Sequence, residues 1–205
     1  MNIAIIGVGS VGRSLATAAS RSGHAVTIAA RVFEDAQSLA QDIDARAVSS
    51  NTEAITGAEI VILAVPFDAV QEIANEIGSH LEGKVLVDVT NRFDPRDLDG
   101  ASNAELIQNM VPTARVVKAF NTLFASRQAD PMIDDIELDG FVASDDDGAR
   151  QQVLALVESM GFRPIDAGPL AMARALEGMA LLNIALNMTN GWSWQTGWKL
   201  LGPTS

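Results

Sequence analysis

The sequence predicts an α/β fold: a doubly wound, mainly parallel sheet covered by helices on both faces, with a small helical domain at the C-terminus. Three observations carry that expectation. Short apolar runs alternate with longer segments of helical spacing, the pattern of strand–helix–strand units in a parallel sheet. The strongest runs, 2–6, 60–65 and 84–89, are apolar almost throughout rather than alternating, as in strands buried on both faces. After Gly168-Pro169 the alternation stops and a helical, apolar tail begins.

In chain order, the strand at 2–6 leads into a helix at 11–22, with Val11, Leu15, Ala18 and Ala19 on one side. Gly23-His24 turns the chain into a second strand at 25–30. A helix at 33–42 and a short strand at 45–48 follow. The strand at 60–65 is stopped by Pro66, and a helix at 68–77 leads to the strand at 84–89. Next come a short helix at 102–108, strands at 116–119 and 141–143, and between these two an acidic, exposed loop at 129–140. The helix at 147–160 has Ser144 or Asp145 as its expected N-cap, with Asp146 and Asp147 complementing the positive end of its dipole. A last strand spans 162–166. In the tail, 170–188 reads as a helix apolar nearly all round, and 191–201 holds all three tryptophans. The expected domains are therefore 1–168 and 169–205, the second too small to fold alone.

Composition narrows the function. With 205 residues, 48% of them hydrophobic and 20% charged, the chain is long enough for one large domain with an appendage and too apolar for bulk disorder. Lys plus Arg total 14 against 26 Asp plus Glu, a net charge of −12, which disfavours nucleic acid and anionic membrane surfaces as partners. Without cysteine there is no disulfide, no thiolate nucleophile and no cysteine-ligated metal; without tyrosine there is no phenolic acid. His24 and His80, the two histidines, are too few for a histidine metal cluster, so no metal site is expected. No basic leader precedes the first strand and no uncharged apolar stretch is long enough to span a bilayer, so the expected location is cytoplasmic.

The most informative stretch is Gly7-Val8-Gly9-Ser10-Val11-Gly12, directly after a buried-type strand and opening an amphipathic helix. In that context, which makes the fold Rossmann-type, Gly7 permits the tight turn, Gly9 lets a pyrophosphate approach and Gly12 lets helix and strand lie close. The Ser10 and Val11 amides then face the phosphates from a helix N-terminus. At the end of the second strand, where an acid would bind a plain ribose, the chain has Ala29, Ala30 and then Arg31. A guanidinium beside a small neutral pocket suits a 2′-phosphate, so the expected cofactor is NADP(H). Ala64, Val65, Pro66 and Phe67 end the strand at 60–65 and are expected to border the nicotinamide. Asn91, Phe120 and Asn121 follow the next two strands and are expected to shape the same ring pocket. No catalytic acid or base is evident, and none is assigned. That favours direct hydride transfer to a small-molecule acceptor.

Segments 2–12, 61–67, 84–91, 116–123, 161–170 and 173–177 together resemble the deazaflavin-dependent NADP reductases, the NADPH:coenzyme F-420 (F420) oxidoreductases. The most specific are V-K-A-F-N-T from Val117, G-F-x-P-x-D-A-G-P-L from Gly161 and A-R-x-L-E from Ala173. The resemblance implies a nucleotide-binding sheet domain with a small helical domain, a homodimer, and hydride exchange between NADPH and coenzyme F420 or a flavin. The cytosolic domain of membrane ferric reductases is similar too. Three positions depart from the pattern: Ala29-Ala30 replace hydroxyl residues, Phe67 stands where tryptophan is common, and Arg92 where proline is usual. The alternatives are an NADPH-dependent flavin, ferric or imine reductase, the last disfavoured by length, or a non-enzymatic NADP(H)-sensing protein. Trp192, Trp194 and Trp198 are expected to serve either the dimer or the acceptor pocket.

Overall fold

The computed structural model describes residues 1–91, 93 and 100–203; Arg92 lies outside the described residues. The first half runs β1 (Asn2–Ile6), α1 (Ser10–Arg21), β2 (Ala25–Ala29), α2 (Phe33–Asp42), β3 (Arg46–Val48), α3 (Asn51–Ile55), β4 (Ile60–Leu63), α4 (Val70–Ile77) and β5 (Val85–Asp88). The second half runs α5 (Asn103–Met110), β6 (Arg115–Lys118), α6 (Ala125–Gln128), β7 (Met132–Ile133), β8 (Ile136–Glu137), β9 (Asp139–Ala143), α7 (Asp147–Ser159), β10 (Arg163–Gly168) and α8 (Ala173–Asn190).

One eight-stranded sheet has the order β10-β9-β6-β5-β4-β1-β2-β3. From β3 to β6 every pairing is parallel. β9 then runs antiparallel to β6, and β10 parallel to β9. The reversal follows from the connection: a parallel neighbour needs a crossover helix, and between β6 and β9 the chain forms only the four-residue α6 and the β7–β8 hairpin. The strand order turns back at β1, flanked by β2 on one side and β4 on the other, which opens a crevice at the carboxyl edge.

Alternate strand residues feed two cores. Ile3, Ile5, Ile28, Ile62, Val87 and Val117 pack with Leu15, Leu39, Val153 and Leu156 of α1, α2 and α7. Ala4, Ile6, Val61, Leu63, Leu86 and Val116 pack with Ile55, Val70, Ile77 and Ile107 of α3, α4 and α5. Each buried Ile or Leu contributes about 1.5–3 kcal/mol, so the continuous apolar runs are what the two-sided sheet requires.

Several elements differ from expectation. α3 is an addition: Ser50 caps it by accepting the Glu53 amide, and its five residues are too few to show periodicity. α7 is capped by Asp146, which accepts the Ala149 amide at 2.7 Å, and not by Ser144 or Asp145. Those two are engaged elsewhere, Ser144 donating to the Val116 carbonyl and Asp145 accepting the Leu170 amide. Segment 129–140 is not a free loop, because it carries the β7–β8 hairpin and ends in buried Leu138 and Asp139. The tail is only partly helical. α8 ends at Gly191 in the left-handed conformation (φ 65°), and among the described residues 192–203 contain no helix.

That last segment is strapped across β9. The Asp139 amide donates to the Trp198 carbonyl at 2.9 Å. The Asp139 carboxylate, fully buried, accepts Arg163 Nε at 2.6 Å, Arg163 Nη2 at 2.8 Å and the Leu200 amide at 2.6 Å. Burial alone would raise this carboxyl, but the hydrogen bonds from Arg163 and Leu200 and the charges of Arg163 and Lys199 outweigh it and hold it below its ordinary range. A depressed folded pKa gives stability that is present above the unfolded value of about 4 and lost as pH falls through the folded one. Acidification below about pH 4 is therefore expected to release the strap, seen as a change in tryptophan emission that Asp139→Asn produces already at neutral pH. Asp139→Asn is expected to cost about 2 kcal/mol, the scale of a hydrogen bond to a charged group, or roughly 4–8 °C in melting temperature.

Candidate functional site

β1 delivers the chain into Gly7, whose φ of 101° lies in the region that favours glycine and whose Cβ, if it had one, would run into the Ala64 carbonyl. The Gly7 amide donates to the Ala29 carbonyl, drawing the ends of β1 and β2 together. α1 starts at Ser10 with Gly9 as N-cap, so no side chain caps it, and its first turn has no acidic residue. α5 contrasts with it, closing its N-terminus with a full Ser102–Glu105 capping box. The Ser10, Val11 and Gly12 amides thus form the dipole's positive end without an anionic partner from their own helix. Gly12 is buried against Gly7 and Ala64, where a Cβ would meet the Gly7 carbonyl.

A cleft of about 560 Å³ opens beyond the carboxyl ends of β1, β2, β3 and β4. Of the residues singled out in the sequence, Gly7, Val8, Gly9, Arg31, Ala64, Val65 and Pro66 line it together. Arg31 is exposed and, among the described residues, is the only cation lining the cleft; it pairs with neither Glu34 nor Asp35. Ser49, Ser50 and Asn51 line the same end and were not foreseen, since they belong to the unexpected α3 and the turn before it. Asp35, Glu72 and Glu76 also line the cleft, and Glu76 accepts Asn51 Nδ2 at 2.7 Å.

The remaining candidates lie elsewhere. Phe67 is half-buried against the core beneath α4 and does not line the cleft. Phe120 is buried, its ring edge-on to Phe162 at 5.9 Å, so it shapes the rim from below and not as an open face. It also holds a φ of 59°, costly for an aromatic residue, with its carbonyl accepting Gln128 Nε2. Asn91 and Asn121, after β5 and β6, interlock: Asn91 Nδ2 donates to the Asn121 carbonyl and Asn121 Nδ2 to Asn91 Oδ1, each at 2.9 Å. Asn121 Nδ2 also reaches the Leu176 carbonyl of α8 at 3.0 Å.

Beneath that rim sits a cluster the sequence reading missed. Lys118, fully buried, donates to Asp88 Oδ2 at 2.8 Å, to Glu177 Oε1 at 2.9 Å and to the Thr90 carbonyl at 2.6 Å. Asp88 Oδ1 accepts the Thr90 amide, Glu177 Oε1 accepts the Asn103 amide, and Asn103 Nδ2 donates to Thr90 Oγ1. Burial pushes the Glu177 carboxyl up, Lys118 pulls it down, and the nearby Asp88 charge adds to the rise, leaving it raised overall. The signal was present: Asp88 and Lys118 are single charges at corresponding ends of neighbouring apolar runs, and the parallel register pairs them directly.

A family model described as NADP oxidoreductase, coenzyme F420-dependent, matches residues 2–92. An F420-dependent NADP reductase from Methanothermobacter marburgensis is 32% identical over 93% of this chain and 94% of its own length. Metalloreductase STEAP3 from Rattus norvegicus is 32% identical over 87% of this chain, which spans 36% of that longer protein. A crystal structure from Arthrobacter sp. FB24, described as a candidate F420-dependent NADP reductase, superposes with a TM-score of 0.87 at 28% identity, covering 98% of this chain and all of that one.

Proposed function

Because this chain belongs to the family of F420-dependent NADP reductases, NADP-dependent oxidoreductases, we propose that it exchanges a hydride between NADP(H) and a deazaflavin such as coenzyme F420. NADPH, when bound, supplies the hydride. Gly7, Val8 and Gly9 line the cleft for the pyrophosphate, with the Ser10, Val11 and Gly12 amides at the open end of α1. Arg31 takes the 2′-phosphate at the far end. Ala64, Val65 and Pro66 form the wall toward the nicotinamide, with Asn91 and Asn121 fixing the rim beyond it and Phe67 and Phe120 supporting from beneath. Arg31 is the single observation that carries the choice of NADP over NAD: a guanidinium in the cleft, with no ion pair among the described residues, where an acid would serve a plain ribose. NADPH oxidation measured across a panel of coenzyme F420, FMN, FAD and ferric chelate tests the reading. Turnover is expected to be fastest with the deazaflavin. Tight NADPH binding without turnover on any acceptor overturns it in favour of an NADP(H) sensor. A flavin or ferric acceptor is the second reading, supported by the STEAP3 relative, whose name is that of a metalloreductase.

We further propose a cytoplasmic homodimer joined through α8; no helix among the described residues is long and apolar enough to cross a membrane. α8 buries polar side chains among small and apolar ones and leaves several large apolar side chains outside. Glu177, Asn183 and Asn187 are buried with Leu176, while Leu182, Leu186 and Met188 are exposed, Met188 at 69%. Trp192 and Trp194 continue the exposed surface. A twofold partner covers such a patch with its own copy. Sedimentation at micromolar concentration is expected to give a dimer that Leu182→Glu with Leu186→Glu converts to monomer; a monomeric wild type defeats this arrangement.

A further inference from the structure

We propose that Lys118 and Glu177 are positioning residues for hydride transfer, holding the Thr90–Asn91 and Phe120–Asn121 rims in register with α8 from beneath. The proposal rests on the NADP(H) reading of the cleft. All three Lys118 protons are committed: two to carboxylates on β5 and α8, and one to the backbone carbonyl of Thr90, the residue before Asn91. Glu177 returns the connection, accepting both Lys118 and the Asn103 amide at the start of α5. Asn121 then ties the rim to α8 a second time through the Leu176 carbonyl, the residue next to Glu177. Four elements and two rims thus converge on one buried ammonium.

Stability alone does not explain this cluster. It places two carboxylates and one ammonium out of water, an arrangement that apolar residues of equal volume usually match or better. Two of its hydrogen bonds, Lys118 Nζ to the Thr90 carbonyl and the Thr90 amide to Asp88 Oδ1, end on rim backbone, so what it fixes is where Thr90 and Asn91 stand. The left-handed Phe120 beside Asn121 agrees: such a conformation persists only where the surroundings over-determine it. Displacement of reacting groups by about 1 Å can cost a hundredfold in rate, so a support outside the cleft can set turnover without touching the cofactor.

The test compares Glu177→Ala with Glu177→Gln, the second keeping a carbonyl oxygen for Lys118 and the Asn103 amide. Glu177→Ala is expected to lower kcat by roughly tenfold to a hundredfold while KM for NADPH moves less than about twofold. Glu177→Gln is expected to recover at least about tenfold of that loss, and Lys118→Met to lose the most. Independently of turnover, the side-chain amide signals of Asn91 and Asn121, followed by NMR in the protein without cofactor, are expected to shift or broaden in Glu177→Ala and to return in Glu177→Gln. A folded Glu177→Ala with wild-type kcat, or with both amide pairs unmoved, overturns the proposal. If Lys118→Met does not fold, the two Glu177 variants decide alone. If the wild type reduces no acceptor, the functional reading fails, and the amide signals still decide whether the cluster positions the rim.

Discussion

Gly9→Ala is expected to fold as well as the wild type and to bind NADPH at least about a hundredfold more weakly. A Cβ at Gly9 meets nothing within 4 Å, and the residue sits at φ −62° and ψ −178°, open to any side chain. Folding gives no reason for glycine here. The alanine even removes some freedom from the unfolded chain, an effect of about 0.4–1 kcal/mol in favour of the fold. The added methyl would stand at the uncapped start of α1, on a residue that lines the cleft. There it keeps a pyrophosphate from the helix amides, and losing charge-assisted hydrogen bonds worth about 3 kcal/mol is roughly a hundredfold in affinity. Gly12→Ala is the contrasting control. Its Cβ would meet the Gly7 carbonyl and come within 3.1 Å of Ala64 Cβ, so backbone must move and stability should fall by about 1–3 kcal/mol. Calorimetric titration with NADPH beside thermal melts separates the two. A Gly9→Ala protein that binds NADPH as the wild type does would mean that the cofactor does not approach this loop.

The contrast between Gly9 and Gly12 also shows how far the sequence can be read. The glycine loop was legible because its spacing, the strand before it and the helix after it are all local. The sheet was legible for the same reason, since Ile3–Ile6 and Ile60–Leu63 are apolar on both faces and only a two-sided sheet buries them. What stayed hidden depends on partners distant in sequence. Nothing local marks Lys118: register sets it beside Asp88, and α8 brings Glu177, 59 residues on, against its ammonium. Likewise α8 reads as apolar all round, yet it buries Asn183 and Asn187. Those two hold the strap through Thr196 and the Trp194 amide, leaving Leu182 and Leu186 outside. Phe67 was expected beside the ring pocket, but β4 ends at Leu63, the chain turns at Pro66, and the ring packs on the core side and not in the cleft.

Arg31→Ala is expected to weaken NADPH binding by tenfold to over a hundredfold, the factor that corresponds to about 1.5–3 kcal/mol of charged hydrogen bonding, and to leave NADH binding nearly unchanged. The size of the effect follows from what else lines the cleft. Asp35, Glu72 and Glu76 bring negative charge, and Arg31 is the one cation among the described lining residues, on a chain of net charge −12. Without it the neutral side-chain donors among the described lining residues are Ser49, Ser50 and Asn51. Arg31→Lys should recover only part of the loss, because an ammonium is a point charge where the guanidinium offers a planar fork. Ala30→Asp should act in the opposite sense on the two cofactors, its carboxylate repelling the phosphate while offering an acceptor to a plain ribose hydroxyl. Titrating NADPH and NADH into all four proteins at fixed ionic strength measures the discrimination directly, since exposed charge effects fade with salt. Equal affinity of the wild type for the two cofactors would remove Arg31 from the site and with it the choice of NADP.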